Sequence, residues 1–135
     1  MKTLALLLVP VAAPAMAQEI DCSVPMEQLE LNDCAYRLYE RSDGWLNEAY
    51  VDAIAATRAR DALTGGHHEE ALREAQRAWV TYRDRHCELV GDSWGSVGAQ
   101  AQPMIHAGCL QTETELRTDT FRAYVLREEQ RLKDQ

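Results

Sequence analysis

Apolar residues recur at three- and four-residue steps through most of the chain, the spacing that lines them along one side of an α-helix. In the first such segment Leu31, Ala35, Leu38, Leu46, Ala49, Tyr50, Ala53 and Ile54 form the stripe. Thr64-Gly65-Gly66 ends it, since glycine takes the left-handed conformation that closes many helices. A second helix is expected from about His67 to Val90, with Leu72, Ala75, Trp79, Tyr82, His86 and Val90 on one face. Glu69 and Glu70 suit its N-terminal end, where the helix dipole favours negative charge. The stretch GDSWGSVGAQAQP, residues 91–103, reads as a Gly/Ser-rich loop closed by Pro103 in the first turn of a third helix. That helix is expected from Met104 to about Arg131, carrying Ile105, Cys109, Leu116, Ala123 and Tyr124, with the charged tail REEQRLKDQ fraying. No convincing strand appears. The pattern predicts an all-α fold, a small antiparallel bundle of about three main helices or a helical hairpin with a third helix packed across it.

Ser42-Asp43-Gly44 interrupts the first stripe. Glycine inside a helix costs about 1 kcal/mol relative to alanine, and Asp43 can cap a new helix at that point. A continuous helix from Met26 to Leu63 would be about 57 Å long at 1.5 Å per residue. Either the segment breaks near Gly44 or its first third overhangs its partner.

The opening MKTLALLLVPVAAPAMAQE differs from everything after it. One basic residue, an apolar run from Leu4 to Val11 and the small-x-small end Ala15-Met16-Ala17 have the form of a secretory signal peptide, residues 1–17. The run is too short for a permanent membrane anchor, and no Cys stands at the cleavage point for lipid attachment. The expected product is one exported domain, residues 18–135, found in the periplasm or secreted.

Charge narrows the partners. The chain has 14 Lys and Arg against 22 Asp and Glu, a net charge of −8, which loss of Lys2 with the leader makes one unit more negative. Such a surface repels nucleic acid and anionic lipid. It suits a cationic protein or a neutral small ligand, and it also keeps an exported protein soluble. The four cysteines, Cys22, Cys34, Cys87 and Cys109, are an even number in a small exported chain and predict two disulfides. No pair has the C-x-x-C spacing of structural zinc, so no metal is expected. If the third helix runs antiparallel to the second, Cys87 and Cys109 lie at similar heights across the loop. That predicts Cys87–Cys109 and Cys22–Cys34, with Cys34–Cys109 and Cys22–Cys87 as the competing pairing.

The densest chemistry lies in QRAWVTYRDRHC, residues 76–87. A turn centred near Gly65 levels residues whose numbers sum to about 130, placing Asn47 beside Arg83, Tyr50 near Trp79 and Asp43 near Cys87. An arginine on the inner side of a helix must be paired, because an isolated buried charge is very costly. Asn47, Asp43 and Glu48 are offered as partners by the first helix, with Trp79 and Tyr82 packing around them. Gln76, Asp84, Arg83 and Tyr50 complete an expected structural network within the hairpin, and Trp79, Arg83, Asn47 and Tyr50 are expected to serve folding rather than binding.

Cys34, the run Leu46-Asn47-Glu48-Ala49-Tyr50, the run Gln76-Arg77-Ala78-Trp79 with Tyr82-Arg83-Asp84 and Cys87, the pair Gly95-Ser96, and Cys109-Leu110 followed by Thr114 and Arg117 stand in a specific order. Over about Asp21 to Leu126 this set resembles the exported domain of the LprI-type lysozyme inhibitors. The resemblance implies a small, disulfide-bonded, all-helical domain of the periplasm or cell envelope, in a family named for a member that inhibits lysozyme. It makes a cationic lysozyme the expected partner, with an envelope binding or stress module directed at another protein as the alternative. An enzyme is not expected. Ser96, His86, His106 and the carboxylates form no nucleophile elbow, HExxH or phosphate loop, His67-His68-Glu69-Glu70 reads as a solvated helix start, and no cofactor motif is present.

Within that reading the loop Gly91 to Gln102 is the expected contact surface, because it is longer than a helix hairpin needs and loops on rigid scaffolds commonly carry function. Trp94 can fill a cleft, Asp92 and Ser96 can accept hydrogen bonds, and Gly95 belongs to the same turn. The competing reading folds Trp94 back as a lid over the disulfide, leaving Gly95-Ser96 to turn the chain.

Overall fold

The computed structural model describes residues 20–23, 27–93 and 98–134. They form α1 (Gln28–Thr64), α2 (His68–Ser93) and α3 (Gln102–Lys133), with no strand among them. Cys87–Cys109 joins α2 to α3, as expected from the matching heights of those two cysteines, and the remaining pair, Cys22–Cys34, ties the non-helical segment before α1 to that helix. The expected leader, residues 1–17, lies outside the described residues.

α1 does not break. It passes through Gly44 as one helix of 37 residues, about 55 Å at 1.5 Å per residue. Gly44 is exposed, with nothing within 4 Å of the position its Cβ would take. The cost of glycine is met by the flanking contacts: Ser42 is buried and its hydroxyl donates to Glu115 of α3 at 2.8 Å, and Leu46 is in the core. At the start of α1, Glu27 and Glu30 close a capping box, the Glu30 carboxylate accepting from the Glu27 amide at 2.9 Å.

The helices run up, down, up. Contacts between α2 and α3 join Arg83 to Thr114, His86 to Glu113 and Gly91 to His106, so the two are antiparallel. Those between α1 and α3 join Ser42 to Glu115, Tyr50 to Phe121 and Arg60 to Glu128, so these two are parallel. The α1–α3 seam is the most extensive of the three. It is lined by small residues: Ala49, Ala53 and Ala107 are buried, as are Ser42, Thr57, Thr114 and Thr118. Two of the buried threonines satisfy their hydroxyls within their own helices, Thr57 on the Ile54 carbonyl at 2.8 Å and Thr118 on the Thr114 carbonyl at 2.9 Å. Leu46, Ala49, Ala53 and Phe121 make the apolar centre, with Tyr50, Leu72, Trp79, Tyr124 and Val125 packed on it. Farther along the seam Arg60 meets the buried Glu128 at 3.0 Å. Arg60→Ala should cost about 2 kcal/mol by leaving a buried carboxylate with Arg131 alone, at 3.8 Å. Denaturant unfolding measures it, and Arg60→Lys should recover part of the loss.

At the α1–α2 connection Gly65 holds φ 69° and its amide donates to the Asp61 carbonyl at 2.8 Å, as expected for a closing glycine. Asp61 then caps the next helix from outside it. Its carboxylate accepts the amides of Glu69 at 3.0 Å and His68 at 2.8 Å, and contacts His68 Nδ1 at 2.6 Å. These contacts, the Glu69 amide foremost, lower its pKa from 3.8 to about 2. A carboxyl depressed on folding stabilises above its unfolded pKa, and that contribution is lost as pH falls from about 4 to about 2. Tm of the wild type should therefore drop more steeply across that window than Tm of Asp61→Asn, and parallel curves would remove Asp61 from the acid response. Arg58 and Arg73 both reach Glu69 at 2.7 Å, tying the same corner.

Both later helices exceed their expected lengths. α2 continues through Gly91 and Asp92 to Ser93, because Gly91 is buried where α3 crosses, with His106 Cβ 3.3 Å from the position of a Cβ there. α3 starts at Gln102 and keeps its tail helical to Lys133, with Arg131 and Lys133 in the last turn favouring the C-terminal end.

Candidate functional site

Arg83 answers why aromatics and charges share one stretch of α2. It is buried, 7% exposed, and its guanidinium is held on several sides. Asp84 accepts from Nε at 2.9 Å and lies 2.8 Å from the second terminal nitrogen, Asp43 stands 3.6 Å away, and the Thr114 hydroxyl is at 3.5 Å. The guanidinium carbon is 5.1 Å from the centre of the Trp79 ring and 5.6 Å from that of Tyr39. Arg117 of α3 repeats the pattern one layer on, 5.5 Å from Trp79 and 4.6 Å from Phe121, with its Nε donating to Gln76 at 3.0 Å.

The five side chains form a ladder through all three helices, in the order Tyr39, Arg83, Trp79, Arg117, Phe121. Ring and guanidinium alternate, which lets each cation meet π-electron density where water is scarce. Burial lowers the pKa of Arg117, as a desolvated cation requires. Burial raises that of Tyr39, against the pull of the Arg83 charge. The ladder is open at one end, where the side chains of Asp43 and Asp84 keep 39% and 50% exposure.

The expected network is present in part. Gln76, Trp79, Arg83 and Asp84 are in it. Tyr50 packs on Phe121 at 5.6 Å, at the inner end. Asn47 is exposed and touches the cluster only through Asp43, to which its amide donates at 3.2 Å. Arg83 meets Asp43 rather than Asn47, one helical turn farther from the Gly65 connection than the summed numbering implies, a step its long side chain spans. Tyr82 is outside the ladder: it is 54% exposed and stacks on His86, ring centres 5.4 Å apart and planes 7° from parallel. Tyr39 and Phe121 were not singled out from the sequence. Their signal was the i,i+4 spacing of Tyr39 to Asp43 and of Arg117 to Phe121, which puts each pair on one helix face.

Of the expected contact loop, Asp92 is an exposed residue of the last turn of α2, 3.4 Å from Gln102. Trp94, Gly95 and Ser96 lie outside the described residues. Among the described residues no three His, Cys, Asp or Glu side chains are grouped to hold a metal ion, and no helix is long and apolar enough to cross a membrane.

No solved structure matches the chain. An uncharacterized protein of Rhizobium meliloti (strain 1021) is 41% identical over 120 residues, covering 83% of this chain and 85% of the relative. The family model described as lysozyme inhibitor LprI matches residues 21–121, a span that holds both disulfides and the whole ladder from Tyr39 to Phe121. The chain belongs to the LprI lysozyme inhibitor family.

Proposed function

We propose that this protein is an exported inhibitor that binds a lysozyme-type muramidase and has no catalytic activity of its own. Family membership over residues 21–121 carries the reading. The physical character of the chain agrees with it: a rigid, disulfide-stapled helical body with a net charge of −8 attracts a cationic enzyme at long range. Its place of action is the periplasm or the outside of the cell, after removal of residues 1–17. Inhibition then works by occupation, the protein covering the substrate cleft or its approach, with no bond made or broken.

The test is a lysis assay. Purified protein is incubated with chicken-type, goose-type and invertebrate-type lysozymes, and clearing of a bacterial suspension is followed. Dose-dependent inhibition of at least one type is the expected outcome, weakening as salt is raised because part of the attraction is electrostatic. Inertness toward all three would overturn the reading and leave an envelope binding module with another protein partner.

A further inference from the structure

Tyr82, which is exposed, and His86, which is half-buried, make an aromatic stack on α2 that the core does not use. Leu89, 65% exposed, continues the same helix face at the i+3 position of His86. Across the groove on α3, Glu113 approaches His86 Nε2 at 3.8 Å, and Leu116, 60% exposed, stands one turn beyond it. The antiparallel register puts Leu116 level with Tyr82, so the outer α2–α3 face carries, along its length, Leu116 and Tyr82, then His86, then Leu89 near the Cys87–Cys109 bridge that fixes the two helices against each other. An apolar cluster with an aromatic centre on a stapled scaffold has the composition of an interface hot spot.

We infer that this α2–α3 face, centred on Tyr82, His86, Leu89 and Leu116, is the surface that docks a cationic muramidase, an assignment that rests on the inhibitor reading above. Charge selects the occupant. Glu113 and Asp92 border the face, while of the two arginines next to its rings Arg83 is buried and paired with Asp84 and Arg85 is taken by Glu88 at 3.0 Å. The rim thus presents carboxylates to a positive partner around a core that excludes water. The other open groove, between the C-terminal halves of α1 and α3, has exposed Leu63, Leu126 and Leu132 but mixes Arg60, Arg122 and Arg131 with Asp52, Glu128 and Glu129. It offers a cationic protein no net attraction.

The experiment compares wild type, Tyr82→Ala, Leu89→Ala, Glu113→Gln and, from the opposite groove, Leu126→Ala, each with its Tm and its inhibition of whichever lysozyme the wild type inhibits. Tyr82→Ala and Leu89→Ala should each weaken inhibition at least tenfold with Tm within a few degrees of wild type. Glu113→Gln should weaken it severalfold at low salt and little at high salt, and Leu126→Ala should leave it unchanged. If the wild type inhibits and both Tyr82→Ala and Leu89→Ala inhibit equally well, the face is wrong while the inhibitor reading stands. Loss in Leu126→Ala alone would move the contact to the α1–α3 groove. A wild type that inhibits no lysozyme overturns the function and this surface together.

Discussion

Arg83→Ala is expected to lose about 3 kcal/mol of stability, a fall in Tm of about 10 °C for a domain of this size. Alanine removes the cation from between the Tyr39 and Trp79 rings and takes away the polar neighbour of the fully buried Thr114 hydroxyl. Asp84 and Asp43 add less to the loss, because each is exposed enough to be rehydrated. Arg83→Lys keeps the charge but not the flat fork that meets Asp84 at two nitrogens, and should recover less than half of the loss. Thermal and urea unfolding give the numbers. An Arg83→Ala protein that melts like wild type but no longer inhibits lysozyme would make Arg83 a contact group and end its structural assignment.

Replacing Cys87 and Cys109 together with alanine should cost about 3 kcal/mol, because the bridge closes a 22-residue loop in the unfolded chain. The same change at Cys22 and Cys34 should cost less. Cys22 lies in a short non-helical segment, so cutting its tether frees that segment in the folded protein as well and offsets part of the entropy gained on unfolding. Urea midpoints of the two double variants decide between them, and equal losses would refute the asymmetry. Inhibition should follow the Cys87–Cys109 bridge more closely, since that bridge holds the proposed docking face together.

The helices and the disulfide pairing were legible because both follow from short-range rules. Three- and four-residue spacing marked the stripes, Gly65 marked the turn, and Cys87 and Cys109 fell at matching heights. Legibility stopped where packing decides. Nothing in the spacing marks Thr57, Thr114 and Thr118 as buried, yet they are: the hydroxyls of Thr57 and Thr118 turn back on their own helices and that of Thr114 faces Arg83, which leaves a seam narrow enough for α1 and α3 to meet. Arg83 is a buried cation paired with Asp84, its neighbour in sequence. Its true neighbours Tyr39 and Thr114 come from two different helices, and Arg117 repeats it from α3, a juxtaposition the stripe of one helix does not encode. Tyr82 shares the apolar register of α2 but sits at the edge of the buried arc, so periodicity assigned it to the core and the fold leaves it in water.

The parallel pairing of α1 and α3 also sets the order in which the chain can assemble. Ser42 and Glu115 are 73 residues apart in sequence, and Arg60 and Glu128 are 68 apart. The largest interface is therefore made of contacts that close long loops, which slows folding relative to bundles built from neighbouring hairpins. A fragment ending after α2 would keep the Asp61 corner and the packing of Leu72 and Trp79 on the Leu46, Ala49 and Ala53 stripe but lose Phe121, Tyr124 and Val125, the larger part of its cover. Such a nascent chain should stay unfolded, so the domain gains its stability in one step, when α3 has arrived.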